Sequence, residues 1–92
     1  TGRLRFANQP YDLLAVARAA VDATVQERTR KNQVLLLEWP AENELPANGD
    51  GRRVGRAVEQ LLENASKFAP SGAKIGLRVR RSADSKLLEV LV

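Results

Sequence analysis

Apolar residues recur along the chain with a helical period in two places, and this period predicts where the helices lie. Over residues 13–30 the apolar positions recur every three to four residues, which predicts a first helix with Asp12 as its N-cap. A second helix is predicted over Arg52–Phe68, because Asp50-Gly51 is a helix start and residues 69–72, A-P-S-G, end a helix. We therefore expect one long helix in each half of the chain.

Extended segments account for most of the remaining residues. Over Lys74–Arg81 apolar and polar residues alternate strictly, with Ile75, Leu77 and Val79 on one side, which predicts a half-buried strand. The other predicted segments are a short edge strand at 3–6, a largely buried strand at 33–39, a loop at 41–49, a turn at 82–86 and an apolar strand at 87–92. The predicted order is β-α-β-loop-α-β-β, an α/β arrangement.

Composition limits the chain to one small domain and excludes several kinds of chemistry. Its 92 residues are 43% hydrophobic and 28% charged, which is enough for one core over residues 1–92 and too little for two. The absence of cysteine excludes disulfides and thiolate metal sites and fits a cytoplasmic location. The absence of histidine excludes an imidazole base and a phosphoacceptor histidine within the chain. No apolar run is long enough to span a bilayer.

The positive charge is concentrated in the second half of the sequence. The formal net charge is +4, and residues 1–46 contain six basic and six acidic side chains, whereas residues 47–92 contain nine and five. We therefore expect an anionic partner, if the chain has one, to bind the second half.

A helical wheel divides the second predicted helix into three sectors. The apolar sector is centred on Val54 and is predicted to face the core; its other members are Ala57, Val58, Leu61, Leu62, Ala65 and Phe68. A second sector with Arg52, Gly55, Glu59, Glu63 and Ser66 is predicted to be solvated surface. The third, roughly 80° wide, contains only cations and carboxamides, which are Arg53, Arg56, Gln60, Asn64 and Lys67.

The third sector, which we call the polar stripe, has the composition that a magnesium triphosphate requires. Cationic side chains donate to phosphoryl oxygens, amide oxygens ligate hard cations, and the stripe has no carboxylate to repel an anion. A solvated helix face without a ligand is the alternative interpretation of the same residues. If the functional interpretation holds, the stripe projects toward one cavity that accommodates the phosphates.

The second helix and its C-terminal flank resemble the N box of sensor histidine kinases. Residues 50–54, D-G-R-R-V, and 60–72, Q-L-L-E-N-A-S-K-F-A-P-S-G, are similar to the family pattern D-x-x-R-L…N-L-L-x-N-A-x-K-[FY]-[ST]-P-x-G. The similarity extends over the predicted flanking strands. It implies the N-terminal half of a Bergerat-type ATP-binding domain, a two-layer sandwich with a mixed sheet packed against two helices, ending before the Asp-x-Gly-x-Gly box.

The resemblance assigns roles to individual residues. Asn64 would ligate the magnesium that bridges the ATP phosphates, Lys67 would approach the phosphates, and Phe68 would flank the nucleotide. Phe68 also lies in the predicted apolar sector, which favours a core position instead. Gln60 stands where the family usually has asparagine and Arg56 where it usually has glutamine, and both are candidates for contact with the bound complex. Arg53 matches a family arginine with a structural or electrostatic role.

The amide at Gln60 argues against ATP hydrolysis. Related ATPases of this fold have a glutamate there to activate water, whereas an amide cannot accept a proton. On the wheel, Glu59 and Glu63 point about 100° and 60° away from Gln60, so neither is assigned as the base. Phosphoryl transfer to a histidine on another domain needs mainly positioning and charge neutralisation, which the stripe can supply in part.

Partners and alternatives follow from the same residues. The resemblance implies ATP and Mg²⁺, a dimerisation domain with the phosphoacceptor histidine, and a response regulator, with no membrane contact by this chain. Because the pocket is incomplete, we expect at most weak ATP affinity and no autokinase activity from the 92 residues, and self-pairing through the apolar strand at 87–92. A catalytically silent kinase-like interaction domain is one alternative. A nucleic-acid-binding module is another, based on Arg52, Arg53 and Arg56 on the helix and Lys74, Arg78, Arg80 and Arg81 on a strand, although no aromatic residue interleaves these cations.

Overall fold

Five strands and three helices make up the residues that the computed structural model describes, which are 9–39, 45–81 and 86–91. In chain order they are β1 (Gln9–Asp12), α1 (Leu13–Ala23), α2 (Val25–Arg30), β2 (Val34–Glu38), β3 (Pro46–Gly49), α3 (Gly51–Phe68), β4 (Lys74–Arg81) and β5 (Lys86–Leu91). The strand predicted at 3–6 and most of the turn predicted at 82–86 lie outside the described residues. None of these helices has the length and apolar content needed to cross a membrane.

The strands form two small sheets. β1 and β3 pair antiparallel, with Gln9 opposite Gly49. β2, β4 and β5 form the larger sheet in that order, with β2 parallel and β5 antiparallel to β4. The larger sheet is therefore mixed, as expected, and together with the helices it gives the predicted α/β fold class.

One face of β4 and the facing sides of α1 and α3 form the core. Ile75, Leu77 and Val79 are at most 1% exposed, which confirms the alternation predicted for this strand. The main cluster consists of Leu13, Leu14, Ala17, Ala20, Leu45, Val58, Leu62, Leu77 and Val79. α3 is therefore held against the sheet by one side only, and its other side is turned away from the core.

The predicted first helix is in fact two helices separated at Thr24. The Thr24 hydroxyl donates to the Ala20 carbonyl at 2.8 Å, and the Arg28 guanidinium donates to Thr24 Oγ1 at 2.7 Å and to the Val21 carbonyl at 2.8 Å. These side-chain bonds satisfy carbonyls at the end of α1. Arg28 is only 4% exposed, and burial lowers the pKa of its guanidinium from its ordinary value. Because the apolar periodicity continues across Thr24, it did not reveal the break between α1 and α2.

Two further predictions about the first half were wrong. The segment at 41–49 is not all loop, because residues 46–49 form β3 by pairing with β1. β2 is not largely buried: Val34 is 50% and Leu36 51% exposed, because β2 lies at an end of the sheet and these side chains point away from the helices. Its apolar composition reflects strand propensity more than burial.

Candidate functional site

α3 begins and ends where local chemistry requires. The Asp50 carboxylate accepts a hydrogen bond from the Arg53 amide at 3.3 Å and so caps the N-terminus. At the other end the Ala69 amide donates to the Ala65 carbonyl at 3.0 Å, and Pro70 follows. The helix therefore starts at Gly51, one residue before the prediction, and ends at Phe68 as predicted.

The buried face of α3 is rotated by roughly 65° from the predicted apolar sector. Val58, Leu62, Ala65 and Ser66 are buried, whereas Leu61 is 45% and Phe68 78% exposed. This corrects several predictions: Phe68 is not a core aromatic residue, Leu61 is not buried, and Ser66 does not lie on solvated surface. Ala57, also assigned to the core, is exposed.

Small and polar residues lie on the inward side of α3. Gly55 is one of them, and a Cβ there would meet a Val16 methyl carbon at 3.4 Å, so α3 packs near α1 on this side. The Ser66 hydroxyl donates to Gln33 Oε1 at 2.5 Å, which satisfies both groups in a buried position. An apolar scale gives little weight to Gly55 and Ser66, so the helical wheel did not predict which side of α3 faces the core.

The polar stripe lies almost opposite the buried face. Arg53, Arg56, Gln60, Asn64 and Lys67 are all exposed, and their mean direction on the wheel is roughly 175° from that of the buried residues. The stripe is therefore the outermost part of the helix and is accessible to a ligand along its whole length.

The stripe residues are divided between separate grooves along α3 and do not share the single cavity that the sequence suggested. Asn64 and Lys67 line one of about 640 Å³ together with α1 and α2 residues, including Glu27, and with Glu63. Arg53, Arg56 and Gln60 line a second, of about 470 Å³, together with Arg52 and Ala57. The amide and the lysine assigned to magnesium and phosphate are thus brought together, while Arg56 and Gln60 are grouped separately.

The groove around Asn64 contains the Glu27 and Glu63 carboxylates and the Lys67 ammonium. Hydrogen bonding to Arg30 lowers the pKa of the Glu27 carboxyl, so this group in the Asn64 groove is ionised at neutral pH. Within the described ranges no three acidic residues group together as a metal site. The donor chemistry fits Mg²⁺ held by the Asn64 amide oxygen and by phosphate oxygens, because magnesium is commonly bound by few protein groups and substrate phosphates.

Lys67 and Phe68 form an exposed pair at the C-terminal end of the stripe. The Lys67 ammonium lies 5.5 Å from the centroid of the Phe68 ring, within the range of a cation–π contact. The exposed ring lines neither of the two grooves. Its face is available for stacking beside the cation.

A polar cluster at the end of α3 was not identified from the sequence. Lys31 and Gln33 donate side-chain hydrogen bonds to main-chain carbonyls between Ser66 and Pro70. The only local signal was a polar residue, Gln33, at the start of an apolar strand, and this signal does not name a partner.

Comparisons with known proteins agree with the resemblance. No protein family model matches the sequence. The signal transduction histidine-protein kinase/phosphatase MprB of Mycolicibacterium smegmatis is 41% identical over 44 residues, which are 48% of this chain and 9% of that protein.

Solved structures of histidine kinases share the fold. The Acinetobacter baumannii histidine kinase AdeS superimposes with a TM-score of 0.79 at 21% identity over 95% of this chain and 42% of that one. The mycobacterial sensor histidine kinase MprB gives 0.68 at 25% identity over 83% and 48%, and the catalytic domain of histidine kinase ThkA gives 0.76 at 16% over 87% and 53%. The chain thus spans about half the length of these structures. The chain therefore has the fold of histidine-kinase catalytic domains and, over 44 residues, sequence similarity to a histidine kinase.

Proposed function

We propose that the outward face of α3 binds the magnesium complex of ATP as part of a sensor histidine kinase. The observation that carries the proposal is the polar stripe, in which five cations and carboxamides are exposed on the side of the helix away from the core. In a solvated surface helix we would expect carboxylates to alternate with the cations, and this sector has none.

Each stripe residue has a role that its chemistry allows. Asn64 would hold the metal through its amide oxygen, and the Lys67 ammonium would donate to phosphate oxygens. Arg56 would add positive charge toward the N-terminal end, with Gln60 able to donate or accept beside it. Bound Mg²⁺ would neutralise phosphate charge during transfer.

Phe68 would contact the nucleoside part of the ligand. Its ring is 78% exposed, so burial against a base gains free energy that burial in the core has not already supplied. Lys67 lies beside the ring and carries the charge for the phosphates. The C-terminal end of the stripe therefore combines an apolar surface with a cation.

We infer phosphoryl transfer rather than hydrolysis. Gln60 cannot act as a general base. Glu59 and Glu63 lie about 100° and 60° from Gln60 around the helix, although Glu63 lines the same groove as Asn64. The acceptor would be a histidine on a separate dimerisation domain, since this chain has no histidine. A response regulator would then receive the phosphoryl group, and the use of ATP makes a cytoplasmic location the expectation.

The 92 residues alone are expected to perform little of this activity. They correspond to about half of the related structures, so we expect ATP affinity weaker than micromolar and no autokinase activity. Self-pairing through residues 87–92 stays a prediction. Among the described strands, β5 pairs only with β4, and sedimentation as a monomer at high concentration would count against self-pairing.

The nucleic-acid alternative loses support because its cations lie on different faces. Arg52, Arg53 and Arg56 are exposed on the outer side of the helix layer. Lys74 and Arg78 lie on the opposite side of β4 from its buried residues, and Arg78 donates to Glu38 at 2.7 Å. A silent interaction domain would bind no Mg–ATP, so a nucleotide titration distinguishes this alternative from the kinase.

The experiment is an NMR titration of the ¹⁵N-labelled chain with Mg–ATP up to about 10 mM, a range that detects weak binding. We expect the side-chain amide signals of Asn64 and Gln60 and the backbone signals of Lys67 and Phe68 to shift together. Asn64→Ala should weaken binding by about tenfold, which is the loss of one charge-assisted contact of about 1.4 kcal/mol.

Asn48→Ala is the matched control, because Asn48 is also exposed but lies on β3, away from the stripe. It should leave the titration unchanged. Absence of stripe shifts at the highest ligand concentration, or equal effects of the two asparagine variants, would contradict the proposal and favour a silent domain.

A further inference from the structure

We propose that Lys31 acts as a tethered cation in a site made of main-chain carbonyls, and that this cation fixes the last turn of α3. Its ammonium donates to the carbonyl oxygens of Ser66 at 2.7 Å, Ala69 at 2.9 Å and Lys67 at 3.2 Å. Three carbonyls converging on one compact cation resemble the oxygen ligation of a monovalent ion.

The same carbonyls are the groups that a helix end leaves without intrahelical partners. The last four carbonyls of an α-helix need other donors, and the helix dipole makes this end negative. Gln33 Nε2 adds donors at 3.0 Å to the Ser66 carbonyl and at 3.2 Å to the Ala69 carbonyl. An amide can satisfy these oxygens but carries no charge, so of the two donors only Lys31 also neutralises the negative end, where Lys67 is a second cation in the last turn.

Lys31 is itself held in place by its main chain. Its amide donates to the Glu27 carbonyl at 3.1 Å, and its carbonyl accepts from the Gly72 amide at 2.9 Å. Asn32, which follows, has a positive φ of 55°, which turns the chain from α2 toward β2. The lysine therefore joins the α2–β2 turn to both sides of the turn that follows α3.

The consequence for function is positional and rests on the proposed nucleotide site. The clamped turn includes the backbone of Lys67, whose carbonyl Lys31 binds, and of Phe68, which follows it. Lys31 does not belong to the polar stripe, so it acts through these residues as a positioning residue. Without the cation, the base-contacting end of the stripe loses its fixed backbone.

The test uses Lys31→Ala with ammonium chloride as the probe and choline chloride as its size-mismatched control at equal ionic strength. In choline chloride the variant should melt about 5–15 °C below wild type, from the loss of charge-assisted hydrogen bonds in a small domain. In 0.5 M ammonium chloride its melting temperature should rise by about 4–8 °C, if NH₄⁺ binds the vacated site with a dissociation constant on the order of 0.1 M.

Arg30→Ala is the matched control, because it also removes a cation at the C-terminal end of α2. In the contacts described above, Arg30 bonds to the Glu27 side chain and not to the carbonyls of α3. This variant and wild type should show the same small difference between the two salts. If Lys31→Ala also shows only that difference, or loses no more stability than Arg30→Ala, the tethered-cation proposal is overturned. These melting temperatures are measured without nucleotide, so they do not depend on the proposed function.

The positional consequence is measured on folded protein well below the melting temperature. Lys31→Ala should weaken Mg–ATP binding about threefold to tenfold in choline chloride, and ammonium should restore it. If the folded variant binds Mg–ATP as tightly as wild type, the positional role is overturned. If wild type binds no nucleotide, the proposed function is overturned, and the melting experiment still tests the tethered-cation proposal.

Discussion

Ser66→Ala tests the rotation of α3 because the structure and the helical wheel predict opposite signs for it. Ser66 is 1% exposed and its hydroxyl donates to Gln33 Oε1 at 2.5 Å, in a site where Gln33 is 8% exposed. Removing the hydroxyl leaves a buried acceptor without this donor, which costs about 1–3 kcal/mol. The higher helix propensity of alanine returns about 0.5 kcal/mol, so the net loss should be about 0.5–2.5 kcal/mol. On a solvated face the same substitution would stabilise the protein slightly.

Urea denaturation followed by circular dichroism measures the difference. With a slope of about 1–1.5 kcal/mol per molar urea for a small domain, a loss in the middle of this range lowers the midpoint by about 1 M. Ser71→Ala is the control, because Ser71 is exposed in the turn after α3, and it should change stability by less than about 0.5 kcal/mol. A Ser66→Ala variant as stable as wild type, or more stable, would refute the buried contact and with it the rotation.

Three further substitutions follow from the same surfaces. Phe68→Ala should change the free energy of unfolding by less than about 0.5 kcal/mol, because the ring is 78% exposed. It should also weaken Mg–ATP binding at least about fivefold through lost stacking. Urea titration measures the stability and NMR the binding, and a loss of several kcal/mol in stability would show that the ring is buried in the core. Gly55→Ala should stabilise α3 by up to about 1 kcal/mol, because alanine has a higher helix propensity than glycine. The added Cβ would meet Val16 at the ordinary contact distance of 3.4 Å. Destabilisation in the urea assay would show that α1 and α3 pack too closely to accept the Cβ. Glu27→Gln should reduce the loss of stability on acidification. The Arg30 hydrogen bond lowers the folded-state pKa of Glu27 below its pKa in the unfolded chain, so the pair stabilises the fold above the unfolded-state pKa and loses this contribution as pH falls through the folded-state pKa. Urea midpoints at pH 7 and pH 3 compare the variant with wild type, and identical acid losses would contradict the ion pair.

Local signals predicted the elements that depend on local chemistry. The N-cap at Asp12, the helix start at Asp50-Gly51 and, over residues 74–79, the alternation of buried and more exposed residues appear in the structure as predicted. Each depends on residues only a few positions apart, and each has a side-chain or periodic signature that other parts of the chain do not change.

Long-range contacts explain what the sequence did not reveal. β3 exists because β1 pairs with it, and Ser66 is buried because Gln33, 33 positions earlier, satisfies it. Arg28 is buried against carbonyls that an unbroken helix would have used itself. For the candidate site, the stripe was predictable from helical spacing, but the direction of the opposite face depended on a buried hydrogen bond between Ser66 and Gln33 that an apolar scale does not weigh.

Paramagnetic relaxation with Mn²⁺ in place of Mg²⁺ tests the central claim most directly, because it reports where the metal of the nucleotide complex lies. Mn–ATP should broaden the side-chain amide signal of Asn64 first, and next the side-chain amide signal of Gln60 and the backbone amide signal of Lys67. Mn²⁺ without ATP should broaden them much less. Broadening centred on β4, or equal broadening by Mn²⁺ with and without ATP, would contradict the account of α3 as the helix that receives the metal nucleotide.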